Sequence, residues 1–384
     1  MIVLIIKSLK INGYKNLKNI SIKPDGQYNL ITGDNAQGKT NLLEAIWTLT
    51  GCRNLRGSRE KDCIGFGMDS AEIEMQFSNR FRTQSISMKL FADTGIPKRI
   101  SLNKIPLKDG NRLFEAFKCV AFMPDDVDNL INGSPEKRRN FVDLCRCQLN
   151  PSAMSGVRRL SAITAQRNAI LRKIPSDSQM RELAGMWDEQ LAKVGSEISL
   201  ARFRYIKKLQ EIAQNLYSEL TGNTEKLELI YRSNVFSRGF DLESLGIDEL
   251  IKIYSQKIMN AKNEEIKMGY TFVGTGRDDI IIKSNNLNIR DFGSQGQKQS
   301  VALVLRLAQA VMLKEKDKEP PVILLDDVMG PLDKNRRSLI HKVVRDMQVF
   351  VTSCNDIIIP HQNGVKCYEI ENGTIRSEKL LEQL

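Results

Sequence analysis

The sequence predicts an α/β fold: a mixed sheet with helices, whose chain is interrupted by an inserted helical segment. Residues 1–125 alternate short apolar runs with turn residues, as strands do. Residues 131–261 instead repeat apolar side chains every three or four positions, which is the helical period. Strand patterns return from Gly269 onward. We therefore expect one discontinuous domain, residues 1–130 and 262–384, with a helical arm domain inserted at 131–261.

The individual elements follow from local patterns along the chain. In the first third, strands are predicted at Ile2–Lys7, Ile20–Lys23, Tyr28–Thr32, Glu72–Phe77 and Ile86–Leu90, and a helix at Thr40–Leu49. Ser134 and Pro135 have the preferences of an N-cap and a first helical position, so a helix should begin there. Near the C-terminus, the apolar runs PPVILLDDVMG and QVFVTSCND predict buried parallel strands.

A single apolar stripe runs from Leu183 to Leu220 at steps of three or four residues. It predicts a helix about 60 Å long. Two interpretations are open: an arm packed on its neighbours, or the seam of a coiled-coil dimer. Several steps of four occur in succession and drift away from a heptad, which favours the packed arm.

Composition limits the classes of function. The 384 residues carry a net charge of +11, and residues 262–384 hold 18 basic and 17 acidic side chains, so the surplus lies in residues 1–261. Such a surplus permits a polyanionic partner, although it could also serve only to keep the protein in solution. No apolar run is long enough for a membrane span. Seven cysteines without a pairing or metal-ligand spacing predict reduced thiols in a cytoplasmic protein.

A phosphate-binding loop is the most specific motif. Gly33 to Thr40 reads GDNAQGKT and fits G-x-x-x-x-G-K-[ST], between a predicted strand and an apolar helix. Backbone N–H groups of such a loop point at phosphate oxygens, Lys39 neutralises the β- and γ-phosphates, and Thr40 offers a hydroxyl to Mg²⁺. The candidate nucleotide-binding residues are Gly33, Asp34, Asn35, Ala36, Gln37, Gly38, Lys39 and Thr40.

Two carboxylates, Asp326 and Asp327, end the strand VILLDD. A buried strand would deliver Asp326 to the edge of the sheet, where it could hold Mg²⁺ together with Thr40. Asp327 would face the attacking water and act as the general base. With Lys39, these are the predicted catalytic residues. The alternative for such a pair is a plain strand-ending turn.

A second anion-binding turn is predicted about 250 residues after the first, at Ser294, Gly296 and Gln297. Small side chains let a nucleotide approach the backbone, and the helix that follows favours negative charge at its start. Since one loop already serves this chain's nucleotide, the second turn would serve the nucleotide of another copy. Two copies facing head to tail would then enclose two ATP molecules. The alternative is a simple helix cap.

The order of these motifs resembles that of the ABC-type P-loop ATPase heads: phosphate-binding loop, helical insertion, SxGQ turn, ILLDD strand, the Leu332–Asp333 loop and a last strand ending at Thr352. Finer stretches resemble the RecF family of bacterial recombination mediators. They are GDNAQGKTNLLEAI, FMPDDVDNLINGSPEKRRNFVD, ITAQRNAILR, the RDD at Arg277–Asp279, and VILLDDVMGPLD. The likeness runs from about Leu4 to the final strand, and the chain lacks the long coiled coils of Rad50 or SMC proteins.

The resemblance implies a slow ATPase that uses ATP and Mg²⁺, dimerises on ATP and binds double-stranded DNA at gaps. Such proteins assist recombinase loading together with mediator proteins of the RecO and RecR type. The resemblance also assigns the γ-phosphate contact across the dimer to Ser294, Gly296 and Gln297. The other interface residues that it implies are Arg306, Asp333 and Thr352.

This chain departs from the family pattern at a few positions that are expected to touch ATP or the dimer interface. They are Lys15, Thr275, Gly276, Gln299, Gly330 and Pro331. They motivate an alternative function, an ATP-gated DNA-binding scaffold with vestigial hydrolysis. Contacts to DNA should be made mostly to phosphates. The candidates are Arg53, Arg56 and Arg59 after the first helix, and Lys137, Arg138 and Arg139 in the arm, each of which could instead lie on a solvated face.

Overall fold

The computed structural model describes residues 4–52, 59–175, 177, 179–237, 239–330, 332–354 and 365–381. The chain divides into two compact units. We call Met1–Asp126 with Leu303–Leu384 the head unit, and Val127–Ala302 the arm unit. In the part of the chain that is described, no helix combines the length and the apolar character that crossing a membrane requires.

Strands and helices are numbered in chain order. The strands are β1 (Ile5–Asn12), β2 (Ile20–Ile22), β3 (Tyr28–Thr32), β4 (Ser70–Ser78), β5 (Thr83–Phe91), β6 (Arg99–Leu102), β7 (Ile105–Leu107), β8 (Cys119–Phe122), β9 (Leu227–Arg232), β10 (Asp279–Ser284), β11 (Leu287–Asn288), β12 (Val322–Asp326), β13 (Val349–Ser353), β14 (Val365–Glu371) and β15 (Thr374–Leu381). The helices are α1 (Lys39–Thr48), α2 (Leu113–Ala116), α3 (Pro135–Leu149), α4 (Ala153–Leu171), α5 (Met180–Leu220), α6 (Ile247–Met268), α7 (Ile289–Phe292), α8 (Gln295–Asp317) and α9 (Lys334–Val344).

The head unit contains two six-stranded sheets. One is antiparallel, with the order β2-β1-β4-β5-β6-β7. The other has the order β15-β14-β3-β13-β12-β8, in which every neighbouring pair except β14 and β15 is parallel. Gln348 is fully buried between them, since its amide accepts from the backbone N of Ile6 at 2.7 Å and donates to the carbonyl O of Asp25 at 2.6 Å.

The first strand extends further along the chain than its pattern indicated, and Ile2 and Val3 of the predicted strand lie outside the described residues. The prediction of Ile2–Lys7 is wrong in extent, because β1 continues to Asn12. Leu9 and Ile11 are buried while Lys10 and Asn12 are exposed, so buried and exposed residues alternate as in a strand. The prediction ended too early because it relied on an uninterrupted apolar run, which stops at Lys7.

The arm unit is built on α3 to α6 and a three-stranded sheet of order β11-β10-β9. The 41-residue helix α5 spans about 60 Å, as its stripe predicts. Leu191, Val194 and Ile198 of that stripe lie in one buried core with Leu160 of α4 and Tyr254 of α6. These contacts within the unit support the packed arm over the coiled-coil seam.

Residues 262–302 group with the arm unit, although the sequence placed them with the head. The reason is a non-local pairing: β10 runs antiparallel to β9, with Asp279 opposite Arg232 and Ser284 opposite Leu227. The division of the chain into a head domain and an inserted arm domain with the predicted bounds stays a prediction.

Thr275, one of the departures from the family pattern, lies in the core of the arm unit. It is fully buried, and its hydroxyl lies 3.1 Å from the Tyr254 hydroxyl and 3.0 Å from that of Ser199. The expectation that this departure touches ATP or an interface therefore does not hold for Thr275, whose neighbours are packing residues.

Candidate nucleotide-binding site

Three motifs of the head unit meet at one edge of the parallel sheet. Asp326 at the end of β12 is opposite Thr352 of β13, and Ser353 is opposite Thr32 at the end of β3. The loop Gly33–Gly38 begins where β3 ends and leads into α1. Ligands of open α/β sheets bind at this carboxyl edge, where loops diverge from the strand ends.

The loop requires its glycines. Gly33 has a φ of +140°, and a Cβ there would lie 2.3 Å from the carbonyl O of Ile370. Gly38 has a φ of +118° and precedes the first residue of α1. Only glycine adopts such angles without strain, so the sequence pattern is explained by the path of the backbone.

Lys39 is folded back across the loop. Its Nζ donates to the carbonyl O of Gly33 at 2.6 Å and of Asp34 at 2.9 Å, and it lies 3.2 Å from Cys354 Sγ. The thiol of Cys354 in turn donates to Asn35 Oδ1 at 2.8 Å. The ammonium group is thus held against the loop that would receive the phosphates, and its role toward them stays a prediction. Sequence patterns did not select Cys354, which lies beside it.

Side chains from outside the motif support the loop. Asn16 donates to the carbonyl O of Ala36 at 2.9 Å and accepts from Asn41 Nδ2 at 2.7 Å. Within the motif, Gln37 accepts from the backbone N of Asn372 at 2.5 Å. Asn16 was missed because it is a single polar side chain in a turn, although it lies in the stretch NGYKNL, whose Lys15 forms an ion pair with Glu44 of α1.

Asp326 connects the two nucleotide motifs. It is buried, and its carboxylate accepts from the Thr40 hydroxyl at 2.9 and 3.0 Å. The Thr352 hydroxyl also donates to it at 2.7 Å. Carboxylate and hydroxyl oxygens are the donors that Mg²⁺ prefers, so Thr40 and Asp326 form an oxygen set suited to that ion.

Asp327 differs from its neighbour in conformation and exposure. Its φ is +50°, in the left-handed region, and its backbone N donates to the Thr352 hydroxyl at 2.9 Å. This conformation turns the chain at the strand end, leaving Asp326 buried and Asp327 exposed. Non-glycine residues held in that region concentrate at functional sites, which is consistent with the role predicted for Asp327.

The turn at Ser294–Gln297, which we call the signature turn, belongs to the arm unit. The backbone N of Gln297 donates to Ser294 Oγ at 3.2 Å, and the backbone N of Ser294 donates to Gln297 Oε1 at 3.0 Å. This reciprocal pair is a capping box at the start of α8. Ser294 is exposed.

Of the three further interface candidates, the structure contradicts only Thr352; for Arg306 and Asp333 the interface role stays a prediction. Thr352 is fully buried and therefore cannot be a surface group; its hydroxyl instead bridges Asp326 and Asp327. Arg306 is largely buried in an ion pair with Asp126, at 2.5 Å. Asp333 caps α9 by accepting from the backbone N of Arg336 at 2.9 Å.

The DNA-contact candidates separate by exposure. Arg53 and Arg56 lie outside the described residues, whereas Arg59 and Lys137 are exposed. Arg139 is half-buried and donates to the carbonyl O of Asp278 at 2.6 Å. The prediction for Arg138 is wrong, because its guanidinium is buried and donates to both carboxylate oxygens of Asp279 at 2.8 and 3.0 Å.

Arg138→Ala is expected to lower the free energy of unfolding by about 1–3 kcal/mol, because the buried Asp279 loses its two hydrogen bonds from Arg138 and keeps only the more exposed Arg232, at 3.2 Å, as an ion-pair partner. Urea-induced unfolding of the full chain measures this. The control is Lys137→Ala, which removes an exposed neighbouring charge and should change stability by less than about 0.5 kcal/mol. Equal stability of the two variants would contradict a structural role for Arg138.

Comparison with known sequences gives matches along nearly the whole chain. Residues 5–376 match the family model described as the RecF/RecN/SMC N terminal domain. The DNA replication and repair protein RecF of Agathobacter rectalis is 34% identical over 349 residues, which are 91% of this chain and 92% of that protein. The protein of the same name from Halothermothrix orenii is 32% identical over 98% of this chain and 100% of its own length.

Comparison with solved structures gives two further likenesses. A structure of the recombination mediator protein RecF, described as RecF-ATP in the RecFOR pathway, has a TM-score of 0.89 and 29% identity and covers 99% of this chain and 98% of its own. An Smc head bound to the C-winged helix domain of ScpA has a TM-score of 0.57 and 16% identity, and covers 98% of both chains. This second likeness shows the fold alone. The α/β class and the ATPase-head fold predicted from sequence are confirmed.

Proposed function

The chain belongs to the RecF/RecN/SMC family, as its motifs predict. We therefore propose that it is a slow ATPase that binds duplex DNA in recombinational repair and replication. Its RecF relatives carry the name DNA replication and repair protein, and one solved RecF structure is described in a form with ATP. The observation that carries the proposal is the hydrogen bond between Thr40 and Asp326, which joins two nucleotide motifs 286 residues apart.

At the nucleotide site, the loop N–H groups and Lys39 would bind the phosphates of ATP. Thr40 and Asp326 would hold Mg²⁺, which neutralises charge on the phosphate oxygens when bound. Thr352 keeps Asp326 oriented through its 2.7 Å hydrogen bond. Asp327, exposed beside this group, would accept the proton of the attacking water.

A second copy would complete each site. The signature turn offers a hydroxyl and the start of α8, an arrangement that favours an anionic ligand. Because this chain already has its own phosphate-binding loop, we assign the turn to the partner's ATP in a two-fold dimer. ATP binding would then close the dimer, and hydrolysis would reopen it.

DNA would bind through phosphate contacts, for which the net charge of +11 provides the general attraction. Duplex DNA at gaps is the proposed ligand, and mediator proteins of the RecO and RecR type are the proposed partners in loading a recombinase.

The site of action would be the cytoplasm. None of the seven cysteines, which all lie in the described ranges, is in a disulfide.

Duplex DNA should bind more tightly with ATP than with ADP, and the affinity should fall steeply between two salt concentrations. Arg59→Ala and Lys137→Ala should each weaken binding and reduce the slope of log affinity against log salt by about one, because each removes one phosphate contact. A fluorescence titration with duplex DNA measures both effects.

The matched control is Lys252→Ala, since Lys252 is exposed in α6 and was not selected as a contact. It should keep the wild-type slope. Affinity that is the same with ATP and ADP would contradict the proposed function, whereas an unchanged slope in one variant would remove only that residue from the contact surface.

A further inference from the structure

Glu225, in the segment between α5 and β9, contacts the signature turn. Its Oε2 accepts three hydrogen bonds: from the Tyr217 hydroxyl at 2.5 Å, from Ser284 Oγ at 2.9 Å and from Gln297 Nε2 at 3.1 Å. Gln297 belongs to the turn, whereas Tyr217 lies on α5 and Ser284 on β10. One carboxylate oxygen therefore ties the turn to two elements of the arm unit.

The side chain of Gln297 is engaged at both of its polar ends. Its Oε1 accepts from the backbone N of Ser294 at 3.0 Å, while its Nε2 donates to Glu225. An amide used in this way holds the turn in shape and does not point into a ligand space. Ser294 is exposed, and its hydroxyl oxygen accepts from the backbone N of Gln297 at 3.2 Å within the same turn.

We propose that Glu225 is a positioning residue: through Gln297 it fixes the signature turn so that the Ser294 hydroxyl can contact the partner's nucleotide. This inference rests on the proposed function. It also changes the role of Gln297: the sequence predicted a contact with the γ-phosphate, whereas here Gln297 holds the turn in its conformation.

The chemistry of the contact supports this role. Hydrogen bonds to an ionised acceptor are stronger than those between neutral groups. Partial burial opposes ionisation, but the hydrogen bonds from Tyr217, Ser284 and Gln297 outweigh it and hold the pKa of Glu225 below its ordinary value. The Tyr217 side chain is fully buried, so the carboxylate is anchored on a rigid part of the arm.

The test is a double-mutant cycle of Glu225→Ala and Gln297→Ala in the full chain. Sedimentation velocity with ATP and Mg²⁺ measures the dimer affinity, and titration of the dilute monomer with a fluorescent ATP analogue measures binding at its own loop. We expect each single variant to weaken the ATP-dependent dimer on the order of tenfold, because a charge-assisted hydrogen bond is lost. The dimer of the double variant should be no weaker than that of the more affected single variant, because both substitutions remove the same contact between Glu225 and Gln297.

Two further readouts separate positioning from loss of structure. Turnover per assembled dimer of Glu225→Ala should stay within about twofold of wild type, because Lys39, Asp327 and Ser294 are unchanged. The control Glu228→Ala removes the same charge three residues away, on β9, and should dimerise normally.

The outcomes differ for the two claims. Wild-type dimer affinity in Glu225→Ala, or additive losses in the cycle, would overturn the role of Glu225. A wild-type chain that does not dimerise on ATP would instead overturn the proposed function.

Discussion

Lys39→Ala is expected to lower the affinity for ATP by at least about a hundredfold, since it removes a positive charge and its hydrogen bonds from the phosphate site. The Lys39 ammonium lies against the carbonyl oxygens of Gly33 and Asp34, at the loop that would receive the phosphates. Titration with a fluorescent ATP analogue measures the loss. DNA binding by this variant should no longer respond to ATP.

The control for that experiment is Lys10→Ala, because Lys10 is an exposed lysine on β1 of the same unit. It should bind ATP as the wild type does. If Lys39→Ala kept ATP affinity within about threefold of wild type, the loop Gly33–Thr40 would not be the phosphate site. A loss that small is no larger than the loss of one hydrogen bond between neutral groups, whereas Lys39 would contribute a full charge to the phosphate site.

Asp327→Asn is expected to lower ATP turnover by about a hundredfold to ten-thousandfold, the range for losing a general base. ATP binding should be unchanged, because the amide keeps the size of the side chain and the hydrogen bond between the backbone N of Asp327 and Thr352. The dimer should therefore stay closed on ATP and remain bound to DNA. Single-turnover measurements and sedimentation with ATP detect these two effects.

A matched control is Asp69→Asn, which makes the same change at an exposed position before β4. Normal turnover in Asp327→Asn would remove the general-base role from Asp327. The alternative function, an ATP-gated scaffold, predicts something else: a wild-type chain that dimerises on ATP with no measurable turnover.

The sequence predicted those parts of the fold and site that depend on local patterns. Strand β3 and the loop after it were placed correctly because strand, glycines, lysine and helix follow one another without interruption. Ser134 accepts from the backbone N of Lys137 as an N-cap, which its residue type and the following proline had indicated. The strand β12 was likewise recognisable as an uninterrupted buried run.

Features that depend on distant pairings were not predictable. Arg138 has the sequence surroundings of an exposed basic helix, and only its pairing with Asp279, 141 residues away, explains its burial. The arm unit extends to Ala302 because β10 pairs with β9. The contact of Gln297 with Glu225 spans 72 residues, and no motif marks Glu225.

The most direct test of the shared nucleotide site mixes two inactive chains. Lys39→Ala should lack a working phosphate-binding loop, and Ser294→Leu should lack a working signature turn, so neither alone should turn over ATP. A mixed dimer combines the loop of the second chain with the turn of the first, which makes one intact site. We expect turnover to return on mixing, up to about a quarter of the wild-type rate, because half of the dimers are mixed and each has one of two sites. If no turnover returned while each chain stayed folded, the two copies would not share their ATP sites.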